Sequence, residues 1–220
     1  MRICFVTAGT LNDGENGEDS DLMLFPFSAL GEVSYEKELK GETSLFEDAA
    51  LASKTNGNTV ICGCYTQARG IRRKSVVVAD RGRILGVSDM VNHIDGSEFR
   101  PGAGIKLYDC AAGRVGVIVA EDLYFPQVLE TLSLCGAEIA VCIFETLNDG
   151  LELTLVRAGA FFYGLPVCLC AEGYAEVVNA SGKLLFASPE QTSRYSLQKE
   201  QEYHVVETRR RLLLRTKRQS

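Results

Sequence analysis

Histidine is nearly missing from this sequence: 220 residues contain two, His93 and His204. A metal centre would therefore have to lean on thiolates, and eight cysteines are present. Most sit in apolar, strand-like runs such as Ile61-Cys62-Gly63-Cys64-Tyr65, Val141-Cys142-Ile143 and Val167-Cys168-Leu169-Cys170, and Cys135 falls in a helix. Positions i and i+2 of a strand share a face, so each Cys-x-Cys pair is able to converge. That spacing is not the usual zinc-knuckle one, however. Free, buried thiols acting as small hydrophobes are expected, with no metal and no cofactor. Long apolar runs are missing as well, since none approaches the roughly 18 residues of a membrane span. The opening Met1-Arg2-Ile3-Cys4-Phe5-Val6-Thr7 is too short for a signal peptide and reads as a first strand, so a cytoplasmic protein is expected.

An excess of positive charge is also absent. The net charge of −6 argues against nucleic acid or any other polyanion as a bulk electrostatic partner. The distribution is uneven. Residues 209–220 hold six Lys and Arg and no acid, leaving 17 basic and 29 acidic residues, a net charge of −12, on 1–208. The expectation is one domain over 1–208 and a basic C-terminal tail over 209–220. The tail is either a solvated terminus or a segment that docks on its own body, on a partner subunit or on an anionic surface.

Strand and helix signals alternate along the chain without repeats. Strands are predicted at Ile3–Thr7, Leu22–Phe25 and Thr59–Thr66, and a hairpin joins Lys74–Asp80 to Arg83–Val87 across Arg81-Gly82. Further strands are expected at Lys106–Asp109, Arg114–Val119, Glu138–Phe144, Val167–Ala171, Tyr174–Val178, Lys183–Phe186 and His204–Thr208. Thr43 or Ser44, with Glu47 completing a capping box, should open a helix that ends at Asn56-Gly57. Pro126–Cys135 and Leu151–Tyr163 are the other helices, the latter with Leu153, Val156 and Ala160 as its apolar stripe. Helices mixed with hairpins suggest a layered α/β sandwich. Between Leu11 and Asp21 the chain is a polar loop carrying Asp13, Glu15, Glu18, Asp19 and Asp21.

Gly113 to Pro126, Gly-Arg-Val-Gly-Val-Ile-Val-Ala-Glu-Asp-Leu-Tyr-Phe-Pro, reads as a buried strand, a tight turn and a helix opened by proline. Such an elbow lifts one side chain above the sheet edge, where a nucleophile would be placed. Here that side chain is the methyl group of Ala120.

This segment resembles the Gly-Arg-x-Gly-x-x-x-Cys-x-Asp-x-x-Phe-Pro stretch of the nitrilase, or carbon-nitrogen hydrolase, superfamily. Asp21-Leu22-Met23-Leu24-Phe25-Pro26-Phe27 resembles that family's strand ending in Phe-Pro-Glu, and Asp80 to Met90 its hairpin leading to a Tyr-Arg-Lys-like motif. Phe99-Arg100-Pro101-Gly102, Gly136-Ala137-Glu138 and Arg157-Ala158-Gly159-Ala160 match further family segments in order. The resemblance implies a four-layer α-β-β-α sandwich with two mixed sheets, and subunits that pair through helices into a dimer.

It also implies a chemistry that this chain lacks. The family attacks an amide or nitrile carbon with a Cys thiolate, moves the proton with a Glu and stabilises developing charge with a Lys. The corresponding positions are Phe27 for Glu, Met90 for Lys and Ala120 for Cys. The resemblance therefore implies a homologue without catalytic residues, acting as a scaffold, regulatory subunit or small-molecule sensor. Its former pocket, lined by Phe27, Met90 and Ala120, would be packed shut or hold a small, partly apolar ligand. Glu121 and His93 are the polar groups that could face it, and an active carbon-nitrogen hydrolase built on that pair is the alternative. Asp122 is expected to be a structural turn residue. The family's helix between its first two strands has no room between Thr7 and Leu22, so apolar surface left there would need another cover.

Overall fold

The structure is a computed structural model that describes residues 1–11, 19–148 and 150–198. In chain order its elements are β1 Arg2–Val6, β2 Leu22–Phe25, β3 Glu32–Ser34, α1 Tyr35–Lys40, α2 Leu45–Asn56, β4 Thr59–Ala68, β5 Ile71–Asp80 and β6 Arg83–Asp89. There follow β7 Leu107–Cys110, β8 Gly113–Val119, α3 Pro126–Leu134, β9 Ile139–Ile143, α4 Leu151–Tyr163, β10 Val167–Ala171, β11 Tyr174–Val178, β12 Leu184–Ser188 and β13 Thr192–Ser196.

The strands form two sheets. One runs β13-β1-β2-β4-β5-β6 with β3 added beside β4, the other β12-β11-β10-β9-β8-β7. Each has three parallel strands at its centre, β1-β2-β4 and β8-β9-β10, flanked by antiparallel strands. Side chains alternate across each strand. In β5, Val76 and Val78 enter the core between the sheets, while Val77 and Ala79 face α2. Phe5, Leu24 and Ile61 of the first sheet meet Val117, Val141, Ile143 and Cys168 of the second in that central core. Leu132, Val156 and Ala160 seat α3 and α4 on the outer face of the second sheet. The predicted α-β-β-α sandwich with two mixed sheets is the observed architecture.

Close approach explains one glycine. A Cβ at Gly116 would lie 2.7 Å from Leu132, so the bare backbone of β8 lets α3 sit directly on the strand that carries the elbow. The paired cysteines face different layers. Cys62 and Cys64 point toward α2, whereas Cys168 and Cys170 point between the sheets, so the two pairs cannot share an ion. Among the described residues no group of three His, Cys, Asp or Glu is placed to hold a metal.

Several local expectations change. Ser44 makes no side-chain cap at α2; the Glu38 carboxylate takes that role, accepting from Leu45 N at 3.1 Å and Phe46 N at 3.2 Å. A carboxylate satisfies two of the helix's unpaired N–H groups and opposes its dipole better than a hydroxyl does. β3, α1 and β13 are additional to the expected elements, and Leu153 is half-buried while Glu152 takes the fully buried place in α4. Glu152 is tenable there because it accepts from Tyr124 Oη at 2.6 Å and Asn148 N at 3.2 Å. Residues 12–18 of the segment after β1 lie outside the described residues, and β1 is covered by what is described, with Cys4 and Val6 buried beside Leu11, Met23 and Phe25. The strand expected at His204–Thr208 and the basic tail over 209–220 lie outside the described residues.

Candidate functional site

The carboxyl ends of the parallel strands of both sheets converge on one region. β8 ends there in the elbow. Val119 is extended, Ala120 has φ +47°, and Ala120–Tyr124 is a 3-10 turn that passes through Phe125 to the proline-opened α3. A non-glycine residue in the left-handed region costs about 1–3 kcal/mol and persists only where its surroundings over-determine it. Asp122 supplies much of that determination. Its carboxylate accepts from Val91 N at 3.1 and 2.9 Å, from Asn92 N at 2.9 Å and from Asn92 Nδ2 at 2.8 Å, clamping the elbow to the segment after β6. Burial pushes the Asp122 carboxyl above its usual range, against the pull of these donors. Asp122 is thus the turn residue the sequence suggested.

Phe27, Met90 and Ala120 meet in the same core cluster, each 1% exposed. Phe27 opens a short 3-10 turn after Pro26 and lies against Gly63, where an added Cβ would be 2.9 Å from the Phe27 backbone and ring. Its ring is 5.2 Å from that of Tyr65, which in turn stacks on Phe99 at 5.5 Å. Met90 is pinned through its main chain, its N–H donating to Lys74 O at 2.9 Å and its carbonyl accepting from Gly102 N at 2.7 Å.

Beside these apolar groups stands a charged cluster of which the sequence points only to Glu121. The Lys74 ammonium donates to Glu121 Oε1 at 2.6 Å and to Glu145 Oε2 at 2.9 Å, and Tyr65 Oη donates to Glu145 Oε1. Lys74 Nζ also lies 5.4 Å from the centre of the Phe99 ring. Lys74 is only 6% exposed. Its burial works against the charge, yet its bonds to Glu121 and Glu145 win and hold its pKa above the ordinary lysine value. Burial, then the bond to Glu145, pushes the Tyr65 hydroxyl up. Glu121 Oε2 is buried with no hydrogen-bond partner among the described residues. Period-two alternation carried the missed signal: Lys74 precedes Val76 and Val78, Tyr65 follows Ile61 and Gly63, and Glu145 follows Val141 and Ile143 on the inward face.

Glu121 therefore does lie at the elbow, but tied to a lysine. His93 is exposed on the loop after Met90, and no contact between them brings the two together as a catalytic pair. Glu172, just past β10, accepts from Ser28 N at 3.3 Å beside Phe27.

No family model matches the sequence. A probable nitrilase of Schizosaccharomyces pombe is 24% identical over 203 residues, covering 80% of this chain and 74% of the relative. Among solved structures, a cysteine-to-alanine mutant of a nitrilase-superfamily amidase from Nesterenkonia AN1 superposes with a TM-score of 0.77 at 17% identity, covering 98% of this chain and 96% of that one. The same amidase mutant in complex with butyramide gives 0.76 at 17% identity, with the same coverage. Fold and sequence relative agree: the chain has the fold of the nitrilase-superfamily amidase and is similar in sequence to a probable nitrilase.

Proposed function

We propose that this protein is a non-catalytic member of the superfamily, in which the architecture of the reaction centre is kept and its chemistry is gone. The observation that carries this reading is the joint burial of Phe27, Met90 and Ala120 beside an elbow that is still left-handed at residue 120. In family terms these positions belong to the general base, the charge-stabilising lysine and the nucleophile. A phenyl ring, a thioether and a methyl group supply none of those functions, and loss of a nucleophile alone costs about 10⁴–10⁶ in rate in well-studied hydrolases. The neighbouring relatives include an amidase, so small amides are the substrates to try first. Purified protein incubated with amides, nitriles and carbamoyl compounds should release no ammonia above buffer; turnover that co-purifies through a second column would overturn the reading.

A relocated centre on Glu121 is less well supported. One of its oxygens is committed to Lys74, and a base held in an ion pair is a poor proton acceptor. The reading extends to a homodimer acting as a scaffold or regulatory subunit. α4 leaves Leu151 and Phe162 more than half exposed, an apolar surface suited to a second copy.

A further inference from the structure

We propose that the charged cluster beside the Ala120 elbow is a seat for a primary ammonium group, and that the chain fills it with its own Lys74. The inference rests on the non-catalytic reading and says what occupies the silent site. A primary ammonium offers three N–H donors on a tetrahedral nitrogen. Glu121 Oε1 at 2.6 Å takes one, Glu145 Oε2 at 2.9 Å takes a second, and the Phe99 face lies 5.4 Å away as a cation-attracting wall. The seat is itself braced. Tyr65 holds the second oxygen of Glu145, and its ring lies between Phe27, tilted against it, and Phe99, on which it stacks.

The charge and the register both favour an internal ligand over an ordinary surface pair. Two carboxylates surround one ammonium, so the seat is net negative and rejects anions. Among the described residues no donor reaches the buried Glu121 Oε2, which has capacity for one. Lys74 approaches from the inward face of β5, in line with Val76 and Val78, so its stem runs along the central core and ends at the elbow. Each group in the cluster comes from a different segment: β4, β5, the elbow, the loop after β9 and the loop carrying Phe99. A single tethered amine thus closes the site that the superfamily keeps for small molecules, and free amines meet a seat already taken.

The test uses the full chain. In Lys74→Ala the stem and ammonium are removed and the seat is vacated. n-Butylammonium chloride, which restores the four carbons and the charge, should raise the thermal midpoint of this variant by about 3 °C or more at saturation. Sodium chloride at equal ionic strength should not, wild type should not respond to the amine, and adding Glu121→Gln with Glu145→Gln should remove the response. A folded Lys74→Ala protein that gains nothing from the amine, or a wild type that gains equally, overturns the proposal. If Lys74→Ala does not fold, reductive methylation of wild type decides. Lys74 should be modified at least about tenfold more slowly than Lys40, whose side chain is 69% exposed, and equal rates overturn the proposal. None of these readouts involves turnover, so discovery of an activity would sink the non-catalytic reading without being confused with failure of the ammonium seat.

Discussion

Replacing Lys74 by methionine keeps most of the apolar stem and removes the charge, leaving Glu121 and Glu145 facing each other and Tyr65 bonded to one of them. Removing one partner of a fully buried ion pair costs about 3–5 kcal/mol, whereas an exposed pair is worth about 0–1 kcal/mol. Here the lysine side chain is 7% exposed and the carboxylates are 24% and 34% exposed, so water relieves part of the penalty. An intermediate loss of about 2–3 kcal/mol follows, or roughly 1 M in urea midpoint at a slope of about 2–3 kcal/mol per M. The pH dependence carries the mechanism. Because the folded pKa of Lys74 lies above its ordinary value of 10.5, its contribution is fully present below about pH 10 and is lost as pH rises through the folded value. The gap between wild type and Lys74→Met, measured by urea unfolding from pH 7 to 11.5, should be flat to about pH 10 and then close. A variant within about 0.5 kcal/mol of wild type at pH 7, with unchanged slope, would refute the view that this cluster is a buried, cooperative unit.

Two further outcomes are expected. Gly63→Ala places a methyl group 2.9 Å from the backbone of Phe27, which cannot swing aside, and should cost about 1–3 kcal/mol by thermal or urea unfolding; a neutral substitution would mean that Phe27 is not packed hard on β4. Thiol labelling of the native protein should modify Cys135 first and Cys110 slowly, sparing the six buried cysteines until denaturant is added, and rapid modification of all eight would contradict the packing described.

Legibility in the sequence followed the strength of local signals. The bounds of α4 are legible because Gly164 and Pro166 stop it, and Gly113–Pro126 is legible as strand, turn and helix because glycine, valine run and proline all agree. β3 and β13 escaped because Glu32-Val33-Ser34 and Thr192-Ser193-Arg194-Tyr195-Ser196 are short or polar and gain their strand character from neighbours far along the chain. At α2 the local sequence points to the nearest hydroxyls as caps, while the real acceptor, Glu38, comes from the preceding helix. At the site, Phe27, Met90 and Ala120 could be brought together by resemblance, but the Lys74 cluster could not. Lysine and glutamate near strand ends read as solvated, and only the fold shows that these ends point at one another.

The Asp122 clamp has a consequence for what the elbow can carry. It holds residue 120 in its strained shape through main-chain amides of Val91 and Asn92, with no help from the side chain at 120. Shape and reactivity are therefore secured by separate atoms. Whether residue 120 presents a methyl group or a thiol, every one of those bonds stays intact, so the elbow keeps its shape whichever of the two side chains it carries.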